Sequence, residues 1–455
     1  MRIENDLGKD SIGRLVWRIA IPSMLAQFVS VLYNIIDRMF VGNIAGVGDL
    51  ALAGVGVCGP VVNLVGSFAF LIGIGGSSLM GIRMGEGNLK KARQILANAF
   101  LCLCVMSVIL TIIALPLCEP MLRLFGASDV TYPYAGVYFK VYVGGTVFAL
   151  LSTGMNQFII CQGYARTGMI SVMIGAVMNI ILDPVFIFLL DMGVAGAALA
   201  TVLSQACSCG YILHFLFSQK SRVRITFGNY SWRVIGRMVQ LGFTPFIIIA
   251  IDNVMVISMN AVLQRYGEAQ GDALITCNTI VQSFMLLVTM PYGGITGGTQ
   301  SILSFNFGAC QSDRVLKAQR YITGLCMLYG VIMFVLARTA GSAFASLFTS
   351  DPELNAQACR AIRICTLAII PLAIQYEIVD GFTAMGQVQA SLPLSFWRKA
   401  VYFAAVFLLP VLFGADAVFY AEPLSDILGP IVSVTVYLLT INKILHTRET
   451  SVQSQ

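Results

Sequence analysis

Apolar segments long enough to cross a lipid bilayer recur along almost the whole of this 455-residue chain. Crossing the hydrocarbon core takes about 20 apolar residues in an α-helix. Only 11% of the residues are charged, whereas soluble domains carry about 25%. We therefore predict an all-α integral membrane protein that crosses the cell (plasma or inner) membrane many times, with the lipid bilayer around it. The composition argues against a soluble enzyme.

The apolar runs predict twelve transmembrane helices, six on each side of a charged midpoint. We expect an N-terminal lobe over 1–218, a cytoplasmic connection over 219–236 and a C-terminal lobe over 237–455. The connection is rich in basic residues, and every other connection is short. The predicted spans are 14–40, 51–80, 94–116, 133–160, 168–190, 194–218, 237–263, 273–304, 317–338, 357–384, 394–413 and 419–443.

The orientation follows from the placement of lysine and arginine, which concentrate in the cytoplasmic connections of membrane proteins. With both termini in the cytoplasm, 21 of the 28 basic residues fall in or beside inside segments. Arg398 and Lys399 are counted among these 21. No basic face or tail gathers the charges, so we expect no nucleic-acid partner. The two histidines and the scattered cysteines offer little material for a metal centre, and we expect no cofactor.

The two halves of the chain repeat with a constant shift of 223 residues. The shift carries Pro22 onto Pro245, and it pairs glycines at several further positions. Because six spans separate the halves, the two copies have the same orientation in the membrane. Parallel repeats of this kind are related by an axis along the membrane normal, with binding near the midplane. The pattern favours a transporter over a receptor or an enzyme.

Two carboxylates lie inside predicted spans, where charges are costly and mark functional sites. Asp37 shares a helix face with Tyr33, and Asp183 shares one with Asn179, each pair being four residues apart. Turned towards one cavity, these oxygens suit Na⁺ and can equally hold a proton. For Asp37 the alternatives are an ion pair with its neighbour Arg38 or an interfacial carboxylate near the helix end. For Asp183 the alternative is a local cap where Pro184 frees backbone groups.

The chain resembles the multidrug and toxic compound extrusion (MATE) family of antiporters, in its bacterial branch with carboxylates in the N-terminal lobe. Asp37 followed by the letters FVG is similar to that family's first helix, and NIILDP over 179–184 to its fifth. GGTQ over 297–300, FNFGA over 305–309 and GFTAMG over 381–386 also resemble it. These motifs span nearly the whole chain.

The resemblance implies a coupling site in the N-terminal lobe. Each of its residues is assigned by its position in the matching part of this sequence. Asp37 and Asp183 would bind H⁺ or Na⁺ together with Asn179 and, on the sixth helix, Thr201. Tyr138 and Asn156 match polar residues that line the same cavity, and Tyr33 joins them from its place beside Asp37. Pro22 matches a proline where the first helix is thought to bend, although a proline near a helix start is the other interpretation.

The second half keeps the scaffold but not these carboxylates. The shift of 223 carries Asp37 onto Asn260 and Asp183 onto Val406, so we predict a single coupling site. Other acids lie in the second half: Asp252 on helix 7, and Glu377 and Asp380 on helix 10. We expect them to contact cargo or take part in coupling, or else to line a wet cavity or pair with Arg398 or Lys399.

The sequence therefore predicts a non-enzymatic secondary transporter that exports cationic or amphipathic small molecules by H⁺ or Na⁺ antiport with alternating access. A flippase or exporter of a lipid-linked or metabolite cargo on the same fold is the alternative. A membrane enzyme or a sensor would need a catalytic constellation or an appended soluble domain, and none is visible. We expect a monomer.

Overall fold

The fold is known from a computed structural model, which describes residues 5–44, 46–125, 127–266, 271–349 and 351–453. Across these residues all regular structure is helical. The first half contains α1 (Ile12–Gly42), α2 (Gly48–Gly85), α3 (Leu89–Ala114), α4 (Cys118–Leu124), α5 (Tyr132–Gly144), α6 (Thr146–Cys161), α7 (Ala165–Pro184) and α8 (Gly193–Phe217).

The second half repeats this order. It contains α9 (Trp232–Tyr266), α10 (Gly271–Gly308), α11 (Ser312–Thr339), α12 (Gly341–Ala345), α13 (Pro352–Cys365), α14 (Ile369–Ala384), α15 (Val388–Phe413) and α16 (Ala421–Gln453). A π-helical turn, Val185–Leu189, continues α7, and a 3₁₀ turn, Ala415–Tyr420, precedes α16.

Ten of the described helical segments are long and apolar enough to cross a membrane singly. Two further spans are broken pairs, α5 with α6 at a bend of 57° and α13 with α14 at a bend of 50°. The predicted count of twelve is therefore confirmed, but the spans expected over 133–160 and 357–384 are not continuous. Pro371 explains the second break, since a proline nitrogen cannot donate to the carbonyl of Leu367. At the break between α5 and α6, Gly145 lies so close to α8 that a β-carbon at this position would overlap Val202.

The 223-residue repeat is visible in the helix boundaries. When 223 is added to the residue numbers of α2, its first and last residues coincide with those of α10. The same shift carries both ends of α6 onto those of α14. The glycine that follows α6, Gly163, has φ of 90°, and its counterpart Gly386 has φ of 75°. Both positions use a backbone conformation that L-residues rarely adopt. The two lobes are therefore pseudo-symmetric copies of one six-span unit.

The lobes meet where α1 packs on α10 and α2 packs on α9 and α10. A β-carbon on Gly85 would overlap the carbonyl of Phe305, and one on Gly308 would overlap that of Ile82. Because 82 and 305 are also related by the shift of 223, this close approach is itself symmetric. We call the whole contact of α1 and α2 with α9 and α10 the seam. It lies in the half of the bundle where α1 begins and α2 ends.

Two basic residues lie deeper than the sequence predicted. Helix α15 begins at Val388 instead of 394, so Arg398 and Lys399 are about 15 Å inside it. Lys399 is buried, and the Arg398 side chain is 15% exposed. Arg398 is therefore ten residues from the start of its helix, not four as the expected span implied.

The segment between α8 and α9 is held against the N-terminal lobe. Gln162 Oε1 accepts hydrogen bonds from Val223 N at 2.7 Å and from Ser221 Oγ at 3.0 Å. Further along, Ser231 N donates to Asn98 Oδ1 at 2.8 Å. Helix α9 then begins at Trp232, so the last residues of the expected connection are helical.

Candidate cation site

Asp37 and Asp183 face each other where α1 packs against α7. Their carboxyl groups are close enough to interact with each other. Asp183 has no exposed surface, and Asp37 is 9% exposed. The structure therefore brings together the two intramembrane acids of the first half, which are 146 residues apart in the chain.

Three oxygens at this point have no hydrogen-bond partner among the described residues. They are Asp37 Oδ1, Asp183 Oδ2 and Asn179 Oδ1. The amide of Asn179 donates from Nδ2 to Asp183 Oδ1 at 3.2 Å, which fixes both side chains. Buried acceptors without donors are costly, and two facing carboxylates repel each other. A cation or a proton between them removes both costs.

Two of the alternatives to a functional site, the cap and the ion pair, find little support. Helix α7 continues through Asp183, whose Oδ1 accepts from the Asn179 side chain instead of capping a free backbone group. Arg38 is exposed and acts on Asp37 through electrostatics, without forming an ion pair with it in the described structure.

Aromatic hydroxyls surround the carboxylates. Tyr33 and Tyr138 both interact electrostatically with Asp37. Tyr138 also interacts with Thr201, whose hydroxyl donates to the carbonyl of Ala197 at 3.0 Å. Thr201 thus lies beside the site and is linked to Asp37 through Tyr138.

Two further residues near the carboxylates were not predicted from the sequence. Tyr142 stacks on Tyr138 with ring centroids 6.3 Å apart, and it also interacts with Gln205. Gln205 Oε1 has no partner among the described residues. The four-residue spacing of Tyr138 and Tyr142 on one helix was the available signal.

Two other expected residues lie elsewhere. The amide oxygen of Asn156 accepts from Ser171 Oγ at 3.3 Å. Ser171 precedes Asp183 by twelve residues on α7, about 18 Å along the axis, so Asn156 is not among the groups around the carboxylates. Pro22 lies ten residues inside α1, which continues through it, and so is not at a helix start.

The acids of the second half have separate surroundings. Asp252 is ion-paired with Lys399, as one of the alternatives expected. Asp380 accepts a hydrogen bond from Thr296 at 2.5 Å. Glu377 is 3% exposed and its Oε1 has no partner among the described residues. The shift-related counterpart of Asp37, Asn260, has a side chain outside the described set.

The donor set around Asp37 determines which ions fit. The described residues contain no group of three or more His, Cys, Asp or Glu side chains that could hold a metal. Two carboxylates, an amide oxygen and the Thr201 hydroxyl are hard oxygens, which suit Na⁺ over a transition metal. The same carboxylate pair can hold one proton.

Comparison with known proteins agrees with this architecture. The sequence profile of the MatE family matches residues 22–185 and 246–408, one copy in each lobe. The multidrug export protein MepA of Staphylococcus haemolyticus is 23% identical over 421 residues, covering 92% of this chain and 91% of MepA. An FAD transporter of Shewanella oneidensis is 23% identical over 439 residues, covering 94% and 95%.

The fold has a solved counterpart at low sequence identity. A multidrug resistance MATE family transporter in an outward-facing conformation superposes with a TM-score of 0.90 at 22% identity, covering 96% of this chain and 98% of the other. The repeated six-span unit, its glycine seam and the two matches to one family profile lead to the same assignment. The chain is a multi-pass membrane protein that belongs to the MatE family.

Proposed function

We propose that this protein is a monomeric secondary transporter that exports cationic or amphipathic small molecules by H⁺ or Na⁺ antiport. The observation that carries the proposal is the facing pair of buried carboxylates, Asp37 and Asp183, each with an unpartnered oxygen. Such a pair binds a cation or a proton reversibly, because the empty site leaves two like charges in a low-dielectric interior.

Helix α1 connects this site to the seam between the lobes. Ser23 lies against Gly294 and Gly298 of α10, and Asp37 is fourteen residues further along the same helix. About 21 Å of helix therefore separates ion binding from lobe contact. An ion that binds the two arrangements of α1 with different affinity shifts the balance between inward-facing and outward-facing states.

The proposed orientation follows from the basic residues, with both termini in the cytoplasm. Under that orientation the seam lies toward the cytoplasm, and the end of α1 lies toward the outside. The site near the end of α1 would then exchange ions with the external medium. Cargo would enter after the seam opens and leave after it closes again.

A metabolite or lipid-linked cargo is the second candidate, and the FAD transporter relative gives it weight. The two bases inside the C-terminal lobe argue against a multiply anionic cargo. Arg398 and Lys399 each already contact a carboxylate of the protein. An anionic group would have to displace an intramembrane carboxylate to reach either of them.

The test is ethidium efflux from proteoliposomes with Na⁺ and pH gradients imposed separately. We expect Asp37→Asn and Asp183→Asn each to abolish gradient-driven efflux. Asp313→Asn, at an exposed position at the start of α11, is the matched control and should transport normally. Wild-type rates in both of the first two variants would refute the proposal.

A further inference from the structure

Five charged side chains meet inside the C-terminal lobe, where α15 packs against α9 and α16. We call them the C-lobe charge cluster. They lie on three different spans, so only the folded lobe brings them together. The members are Asp252 of α9, Arg398 and Lys399 of α15, and Glu422 and Asp426 of α16.

Two ion pairs organise the cluster. Arg398 Nη1 contacts Asp426 Oδ1 at 3.0 Å, and Lys399 Nζ contacts Asp252 Oδ1. The carboxylate of Asp426 has no exposed surface, and its second oxygen, Oδ2, is without a hydrogen-bond partner in the described structure. The cluster therefore retains an unsatisfied buried acceptor.

The fifth member has no ion pair of its own. Glu422 interacts electrostatically with Arg398 and Lys399, and also with Asp426 and Asp252, but no described base lies within ion-pair distance of it. With all five groups ionised, three carboxylates face two bases. The cluster then carries one net negative charge inside the membrane, where an uncompensated charge is costly.

Exposure differs sharply across the Lys399–Asp252 pair. The lysine side chain is 8% exposed, whereas the aspartate side chain is 48% exposed. Glu422 is half-buried. The carboxylates of Asp252 and Glu422 are thus the accessible part of the cluster, and the ammonium of Lys399 lies behind them.

The neighbouring acids of α14 do not change this charge count. Asp380 is held by Thr296 of α10 at 2.5 Å. Glu377 interacts with Gln319 and Thr323 of α11. Asp380 therefore has its hydrogen-bond partner on a helix outside the cluster, and Glu377 interacts with a helix outside the cluster.

We propose that the C-lobe charge cluster is a cargo-binding site for one cationic group, and that Lys399 sets this limit. Its ammonium occupies the position that a second cargo cation would take beside Asp252. The remaining negative charge, shared by Glu422 and Asp252, is complementary to a single amine, guanidinium or quaternary nitrogen. This inference rests on the proposed export function and specifies the charge of its cargo.

The test compares two dyes that share a phenanthridinium ring system but differ in charge. Ethidium carries one positive charge and propidium carries two. Binding to the purified full-length protein in detergent is measured by equilibrium dialysis at low salt. We expect the wild-type protein to bind ethidium more tightly than propidium.

Two variants shift the cluster charge in opposite directions. Lys399→Gln makes the cluster more negative by one unit, and we expect propidium to gain about tenfold relative to ethidium. Glu422→Gln removes the net negative charge, and ethidium binding should weaken about tenfold. Lys443→Gln and Glu119→Gln, at exposed positions, are the matched controls and should change neither affinity.

The double variant Lys399→Gln/Asp252→Asn separates charge from structural damage. It removes one base and one acid, so the net charge and the preference for ethidium should return to wild type. The proposal would be overturned if Lys399→Gln and Glu422→Gln both left the ratio of ethidium affinity to propidium affinity at its wild-type value. Equal losses of affinity for the two dyes would be such a result. Dye binding needs no ion gradient, so failure here is distinct from failure of gradient-driven efflux in Asp37→Asn.

Discussion

Glu86, immediately after α2, accepts a hydrogen bond from Arg448 of α16, which lies 362 residues further along the chain. Arg83 donates to the other oxygen of Glu86 at 2.7 Å. Arg448 also reaches the carbonyl of Gly308 at 3.3 Å, beside the glycine seam. This ion pair therefore joins the two lobes at the same end where their helices are closest.

The first prediction concerns this pair. Burial raises the pKa of Glu86, but the hydrogen bonds from Arg448 and Arg83 outweigh burial and hold that pKa below its ordinary value. A lowered carboxyl pKa means that the pair contributes above the unfolded-state pKa and is lost only as pH falls through the lowered one. The pair should therefore be intact, and insensitive to pH, around neutrality.

Glu86→Gln should loosen this end of the seam. A partly exposed ion pair contributes about 1 kcal/mol, which corresponds to about a fivefold change in population. The measurement is maleimide labelling of a cysteine introduced at Ser304, which lies against Gly81 in the seam, in a background without native cysteines. Glu119→Gln, which breaks the exposed pair with Arg123, should leave the labelling rate unchanged. Equal labelling rates in the two variants would show that the Glu86–Arg448 pair does not hold the seam together.

The second prediction compares adjacent glycines of α10. A β-carbon on Gly294 would lie 2.8 Å from Met24 Cα and Ser23 O of α1, whereas one on Gly293 would meet nothing within 4 Å. Gly294→Ala should therefore separate α1 from α10 and cost about 1–3 kcal/mol of stability. Gly293→Ala should be neutral or slightly stabilising, because alanine favours helix over glycine. Thermal unfolding in detergent measures both, and similar losses would contradict close packing at the seam.

The third prediction concerns the prolines that the repeat relates. Pro22 lacks the N–H that would donate to the carbonyl of Arg18 within α1. Pro22→Ala should stiffen α1, raise thermal stability and slow transport several-fold, if bending of this helix accompanies each cycle. Pro245→Ala, in α9, is the matched comparison and should slow transport less, because α9 carries none of the residues of the Asp37–Asp183 site. A wild-type transport rate in Pro22→Ala would show that Pro22 does not act as a hinge in α1.

Much of the candidate site follows from sequence because few acids occur in the apolar runs of the first half. Asp37 and Asp183 were identified as intramembrane acids, and each had a polar partner one helical turn away. The number of spans followed from apolar length, and the repeat followed from a constant shift. These features depend on local composition, which the sequence shows directly.

The pairing of charged residues within the second half could not be predicted from the sequence. Asp252 and Lys399 are 147 residues apart, and which faces of α9 and α15 meet depends on helix rotation in the packed lobe. Arg398 and Lys399 were also placed six residues too close to a helix start, because the polar beginning of α15 lowers its apparent hydrophobicity. The bends at Gly145 and near Pro371 depend on tertiary contact and on one missing donor.

The last prediction tests the amide of the coupling site. Asn179 both donates to Asp183 Oδ1 and offers an unpartnered oxygen. Asn179→Ala removes both, and losing a buried partner of a carboxylate costs about 1–3 kcal/mol. The cation concentration for half-maximal efflux should therefore rise about tenfold. Asn43→Ala is the control, because Asn43 is exposed just after α1 and its side chain bonds only the carbonyl of Met39 in the described structure.

The same variant separates the two coupling ions. A proton needs one carboxylate oxygen, whereas Na⁺ needs several oxygen ligands at once. Loss of the Asn179 oxygen should therefore impair a Na⁺-driven cycle more than a pH-driven one. Efflux from proteoliposomes under each gradient alone measures the two effects. If Asn179→Ala retains the wild-type dependence on both ions, the amide does not belong to the site, and the carboxylate pair alone accounts for coupling.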